Sequence, residues 1–146
     1  MSEQGEVRKH AGSCHCGTVK FEIEVDATSG MRCNCTVCTK VGLLMGMSKP
    51  EGFRILAGER DLSFYEWGAK TAKRYFCKRC GVSCFSRGYL EQLGGEYVCV
   101  SFNALDDVDP NDVKTVYWDG RHDNWQAGSR DTPWPIRAGG HDLPQR

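Results

Sequence analysis

The sequence predicts a mainly β domain with little helix, on three observations. Residues 19–25 alternate apolar Val19, Phe21, Ile23 and Val25 with Lys20, Glu22 and Glu24, the period of a half-buried strand. Further short runs rich in β-branched and aromatic residues recur between glycine-bearing turns, and no stretch shows the period of an amphipathic helix. Cysteine pairs stand directly beside two of these runs, at Cys14/Cys16 and Cys77/Cys80. At 146 residues the chain suits one core. No linker or repeat divides it, so residues 1–146 are expected to form one domain, with the motifs in about 9–107 and a strand plus irregular tail in 108–146.

Taken in order, residues 1–6 read as a loose terminus. Gly12-Ser13-Cys14-His15-Cys16-Gly17 is a tight turn whose glycines permit the left-handed conformations of a metal-binding knuckle. The strand 19–25 follows, and residues 26–31 read as a connecting turn. Residues 36–40 suit one helical turn. The apolar, glycine-interrupted stretch 42–47 fits either a strand or a lining loop. Strands are expected at 53–56, 62–67 and 72–77, the last running into Phe76-Cys77-Lys78-Arg79-Cys80-Gly81. Two more, 82–85 and 96–103, are joined through Gly88 and Gly94-Gly95. Asp106 to Pro110 break the pattern, 113–118 is one more strand, and 120–146 has no usable period.

Nineteen basic and nineteen acidic side chains cancel, which removes the broad electrostatic footprint of a nucleic-acid binder. No apolar run approaches the ~20 residues of a membrane helix, and Met1-Ser2-Glu3-Gln4-Gly5-Glu6 is too polar for a signal peptide. The expectation is a cytoplasmic protein with neither nucleic-acid nor membrane partners. Nine cysteines there argue against disulfides, because the number is odd and the cytosol keeps thiols reduced.

Seven of the nine stand as Cys14/Cys16, Cys33/Cys35/Cys38 and Cys77/Cys80. Seven thiolates divide as four plus three. The outer pairs each lie beside a strand, so Cys14, Cys16, Cys77 and Cys80 can meet across a sheet and close a structural Zn2+ site. Cys33, Cys35 and Cys38 then form a second zinc site with a vacant fourth position, where a substrate thiol would bind as thiolate. Cys84, Cys99 or a histidine would close it; Cys84 and Cys99 read rather as small buried hydrophobes. His15, between two ligands, should point away from the metal.

The ordered set Gly12-Ser13-Cys14-His15-Cys16-Gly17, Cys33-x-Cys35-x-x-Cys38 and Phe76-Cys77-x-x-Cys80-Gly81 resembles the glutathione-dependent formaldehyde-activating enzyme family, the S-(hydroxymethyl)glutathione synthase-like proteins. The resemblance runs from about residue 9 to Ala104-Leu105-Asp106-Asp107 and extends to centromere protein V-like members of the superfamily. It implies a β-tent fold of antiparallel sheets pinned by the four-cysteine zinc, with a more labile zinc on the trio. It also implies that glutathione approaches the trio through its thiol and adds to formaldehyde, giving a hemithioacetal.

Lys73, Arg74, Lys78 and Arg79 flank the second knuckle and read as a solvated face or as an attraction for glutathione's carboxylates. Trp118, Trp125 and Trp134, with Arg121 and His122, either line a pocket beside the trio or pin the tail to the sheet. Asp106 and Asp107 read as turn caps. The functional expectation is a zinc-dependent carbon–sulfur lyase or synthase acting on glutathione and formaldehyde or a related thiol–aldehyde adduct. The alternative is a non-catalytic zinc module that carries glutathione or binds a protein partner.

Overall fold

The computed structural model describes residues 5–68 and 70–136. Among the described residues ten strands form two sheets, with one short helix beside them. β1 (Arg8–Ser13), β2 (Lys20–Val25) and β5 (Phe53–Ala57) make a three-stranded antiparallel sheet in the order β1-β2-β5. The larger sheet is built from β3 (Ser29–Cys33), β4 (Met45–Ser48), β6 (Leu62–Tyr65), β7 (Ala72–Cys77), β8 (Ser83–Leu90), β9 (Gly95–Ser101) and β10 (Lys114–Trp118). Its order is β10-β3-β4-β9-β8-β7-β6, antiparallel throughout except for β10 against β3, which is parallel. The helix α1 (Thr36–Val41) and short 3-10 turns complete the described residues. The fold is mainly β, as the alternation predicted, but the sheets are not purely antiparallel.

Two strands depart from the expectations. β1 occupies residues 8–13, ahead of the cysteine turn, and β3 begins at Ser29 within the expected connecting turn. Neither carries local periodicity; each exists through pairing, β1 with β2 and β3 with β10. The stretch 42–47 resolves into a loop leading into β4.

Strand register sorts the side chains of the large sheet. Gly46, Val100, Phe85 and Tyr75 pair in succession across β4, β9, β8 and β7, so they share one face. That face meets Val19, Phe21, Ile23 and Phe53 of the small sheet in the main core. Phe21, Phe53 and Phe85 meet edge-on or tilted at centroid separations of 4.6–5.8 Å, geometries that add to their area burial. Met47, Cys99, Ser86 and Arg74 pair in succession on the opposite, outer face. Met31 and Met45 pair with each other there, and Cys33 lies two residues beyond Met31. α1 covers this outer face: Cys38 and Leu43 are buried with Cys99 beneath Met45 and Tyr97. The inner face therefore makes the fold, and the outer face carries the trio.

Candidate metal centres

Cys14 directly follows β1 of the small sheet and Cys77 ends β7 of the large one, so the first sulfur cluster joins the two sheets. The Sγ atoms of Cys14, Cys16, Cys77 and Cys80 all lie within 4.8 Å of one another. Cys14 and Cys16 are 3.6 Å apart and Cys16 and Cys77 3.7 Å. Tetrahedral zinc with Zn–S bonds of about 2.3 Å requires sulfur–sulfur edges of about 3.8 Å. These separations fit, and none of the nine cysteines is in a disulfide.

Both turns that carry the four thiols close on a left-handed glycine, Gly17 at φ 81° and Gly81 at φ 78°. That conformation lets Gly17 N–H reach the Cys14 carbonyl at 3.2 Å and Gly81 N–H the Cys77 carbonyl at 2.8 Å. The turned backbone then points amides at sulfur. Val19 N–H donates to Cys14 Sγ and Arg79 N–H to Cys77 Sγ, each at 3.3 Å. Amide donation favours thiolates: the Cys16 and Val82 amides hold Cys80 at about 6. Burial pushes Cys77 the other way, to about 11. His15 is exposed and outside the cluster, as expected from its place between ligands.

The second cluster is local. Cys33 ends β3, Cys35 is the N-cap of α1, and Cys38 lies one turn further on the same helical face. Gly42, left-handed at φ 66°, ends the helix after six residues. The Sγ atoms of Cys33, Cys35 and Cys38 lie within 4.8 Å of one another, and among the described residues no fourth His, Cys, Asp or Glu atom joins them. Cys84 is buried in the main core and Cys99 packs against Cys38 without joining the sulfur cluster, and burial raises their thiols to about 12 and about 11. Hydrogen bonds from Cys33 and Cys38 hold Cys35 down to about 3, while the same contacts push Cys33 and Cys38 up. A metal ion held by all three would need them as thiolates, so its binding would release protons. Either cysteine group could hold a metal ion.

A polar clamp holds the trio from behind. Asn34, between two of the thiols and 6% exposed, donates through Nδ2 to Asp119 Oδ1 at 2.7 Å and to the Pro135 carbonyl at 3.0 Å. It accepts from Arg121 N–H at 2.9 Å, and Arg121 Nε donates to the Asn34 carbonyl at 2.8 Å. Asp119 Oδ1 also meets His122 Nδ1 at 2.7 Å, and its Oδ2 accepts from Asn124 at 3.2 Å. Burial works against the Asp119 carboxylate, but Asn34, His122 and Asn124 outweigh it and its pKa is lowered from 3.8. Asp119→Ala should cost about 2–3 kcal/mol, since it strands the buried Asn34 amide and removes a charged acceptor. A carboxylate depressed in the fold stabilises above its unfolded value and loses that contribution as pH falls through the folded one. The stability gap between wild type and variant, measured by urea denaturation, should be full at pH 6 and shrink below about pH 4.

Residues 118–135 of the tail region belong with the trio, and residues 137–146 lie outside the described residues. Parallel pairing sets Trp118 opposite Cys33, and Gly120 then lies against Cys33 Sγ and the Trp125 ring. Trp134 donates from Nε1 to the Tyr117 carbonyl at 3.0 Å, which pins the tail to the sheet edge. The basic run at the second knuckle separates by strand alternation. Arg79 pairs with Asp61 at 3.2 Å and Lys73 lies 4.8 Å over the Phe64 ring, whereas Arg74 turns to the outer face and the trio. Asp106 and Asp107 lie in a turn, where Asp106 accepts from Ser13 at 2.7 Å and Asp107 meets His10 at 3.1 Å, tying that turn to β1. Asn34, Asp119, Gly120 and the orientation of Arg74 had no local sequence signal.

β3 and β4 pair only at Met31 and Met45 and then diverge. A cleft of about 610 Å³ opens alongside them, with Met31, Met47, Val116 and Trp118 in its wall, a size suited to a small molecule. Among the described residues no helix is long and apolar enough to cross a membrane. The chain matches the family model described as glutathione-dependent formaldehyde-activating enzyme over residues 9–120. It is also similar to a crystal structure of a Rhodobacter sphaeroides protein. That likeness has a TM-score of 0.65 and 31% sequence identity, and it covers 76% of this chain and 99% of that one. With both sulfur clusters and the Asp119–Gly120 turn inside the matched span, the chain belongs to the glutathione-dependent formaldehyde-activating enzyme family.

Proposed function

We propose that the protein is a zinc-dependent carbon–sulfur lyase or synthase that joins the thiol of glutathione to formaldehyde or a related small aldehyde, and separates the adduct in reverse. One observation carries this reading: Cys33, Cys35 and Cys38 form a three-donor set without a fourth among the described residues, the count of a site that keeps a position for substrate. Cys14, Cys16, Cys77 and Cys80 serve as the structural zinc ligands of the single domain. Family membership supports glutathione and formaldehyde as the substrate class.

Bound at the trio, zinc supplies a Lewis-acidic position where an incoming thiol loses its proton near neutral pH. The chain's own residues give that position its direction. β3 fixes Cys33 and α1 fixes Cys35 and Cys38, while Asn34 and Asp119 hold the backbone between the first two. In the reaction the sulfur forms a bond to the aldehyde carbon, the C=O π bond opens, and the thiol proton ends on the new hydroxyl. Atoms balance without a redox partner.

The test is exchange spectroscopy by NMR on mixtures of glutathione and formaldehyde, with zinc per chain measured alongside. Wild type should exchange faster than the spontaneous reaction, and Cys35→Ser should fall to the spontaneous rate while keeping one zinc. Wild type at the spontaneous rate would reject catalysis and leave a zinc module that carries glutathione.

A further inference from the structure

Arg74 is the least explained charge in the fold. It is 9% exposed, yet among the described residues no carboxylate pairs with it and its buried Nε has no hydrogen-bond partner. Among the described residues its one hydrogen-bond contact is a long one, Nη2 to Cys38 Sγ at 3.9 Å. The guanidinium lies 5.7 Å from the Trp67 ring centroid, which orients its plane. Register places it on the outer face with Ser86 and Cys99, the face that α1 and the trio cover. Among the described residues the buried guanidinium faces the sulfurs of the trio and no carboxylate, and its planar array of N–H groups suits a carboxylate or similar oxyanion.

We propose that Arg74 is a specificity-determining residue: the guanidinium beside Cys38 binds an oxyanion on the ligand of the trio, so the site selects thiols that carry a carboxylate. The inference rests on the open-trio reading and deepens it. The charges agree: a divalent ion with three thiolates carries −1, a fourth thiolate makes −2, and Arg74 offsets one unit of the added charge. Nη2 lies 3.9 Å from Cys38 Sγ, beside the ligand position, and the unpartnered Nε remains for the ligand. Glutathione, a thiol with two carboxylates, falls within the selected class, and neutral alkyl thiols fall outside it.

The test loads the protein with Co2+ and follows the sulfur-to-cobalt charge-transfer bands during titration with 3-mercaptopropionate and with its neutral amide, 3-mercaptopropanamide. Wild type should bind the carboxylate at least about tenfold more tightly, the scale of one charged hydrogen-bonded contact. Arg74→Met should lose that preference while changing affinity for the amide by less than about threefold. Arg74→Lys, which keeps the charge and loses the fork, should recover part of it. Equal wild-type affinity for the two thiols overturns the role of Arg74 alone, and needs no variant to fold. Equal loss of both thiols in Arg74→Met also overturns it, leaving Arg74 as a support for Cys38. Wild-type bands that neither thiol perturbs overturn the open-trio reading and this inference with it.

Discussion

Cys77→Ser is expected to unfold the protein, and Cys35→Ser is expected to leave it folded with one metal fewer. The difference follows from where each sulfur stands. Cys77 is fully buried in the main core, at the end of a strand in one sheet, and its cluster partners Cys14 and Cys16 follow a strand of the other. A metal on those four sulfurs bonds the two sheets together. Structural zinc contributes about 10–16 kcal/mol in zinc-finger peptides at pH 7, comparable with the whole stability of a small domain. The serine variant loses a ligand and buries a hydroxyl among apolar neighbours. Cys35 instead caps a six-residue helix on the outer face, and its cluster spans residues 33–38 of one continuous segment. A metal there crosslinks little chain, so its loss should lower Tm by only a few degrees, on the order of 1 kcal/mol. Circular dichroism melts with metal analysis of both variants decide the point. Equal unfolding by the two substitutions would show that both clusters are structural.

The partition of the seven cysteines was legible because cysteine spacing acts locally. A C-x-x-C pair on one helical turn, or a C-x-C pair before a left-handed glycine, converges wherever the rest of the chain goes. The strand 20–25 was legible for the same reason, since its alternation is written in six consecutive residues. What the sequence concealed depends on register. Arg74 stood in a basic run indistinguishable from a solvated face, and only its pairing with Ser86 turns it toward the trio. β3 has no apolar period, and its pairing with β10, more than eighty residues later, creates it. That same pairing carries Asp119 and Gly120 to Cys33, so the tail, which had no readable period, became part of the candidate site.

Gly120→Ala tests that assembly with the smallest possible change. An added Cβ would overlap Cys33 Sγ and stand 2.7 Å from Cη2 and 3.1 Å from Cζ2 of Trp125. Both neighbours lie closer than an unstrained contact allows. Trp125 is 53% exposed and can swing outward, but Cys33 is fixed by the end of β3 and by the Asn34 clamp behind it. The sulfur has to move, and metal–sulfur bonds of about 2.3 Å tolerate displacements of only about 0.2 Å. Gly120→Ala should therefore weaken metal binding at the trio by about 10–100-fold, the range for residues that support a ligand. The four-cysteine cluster, which joins the sheets away from this turn, should keep its metal, with Tm almost unchanged. Competition titration with a chromogenic chelator separates the two sites by affinity. Adding Trp125→Ala distinguishes the two collisions. If Cys33 is the obstacle, the double variant remains defective; if its metal affinity returns, the tryptophan was the obstacle and the contact between tail and trio is not what orients Cys33.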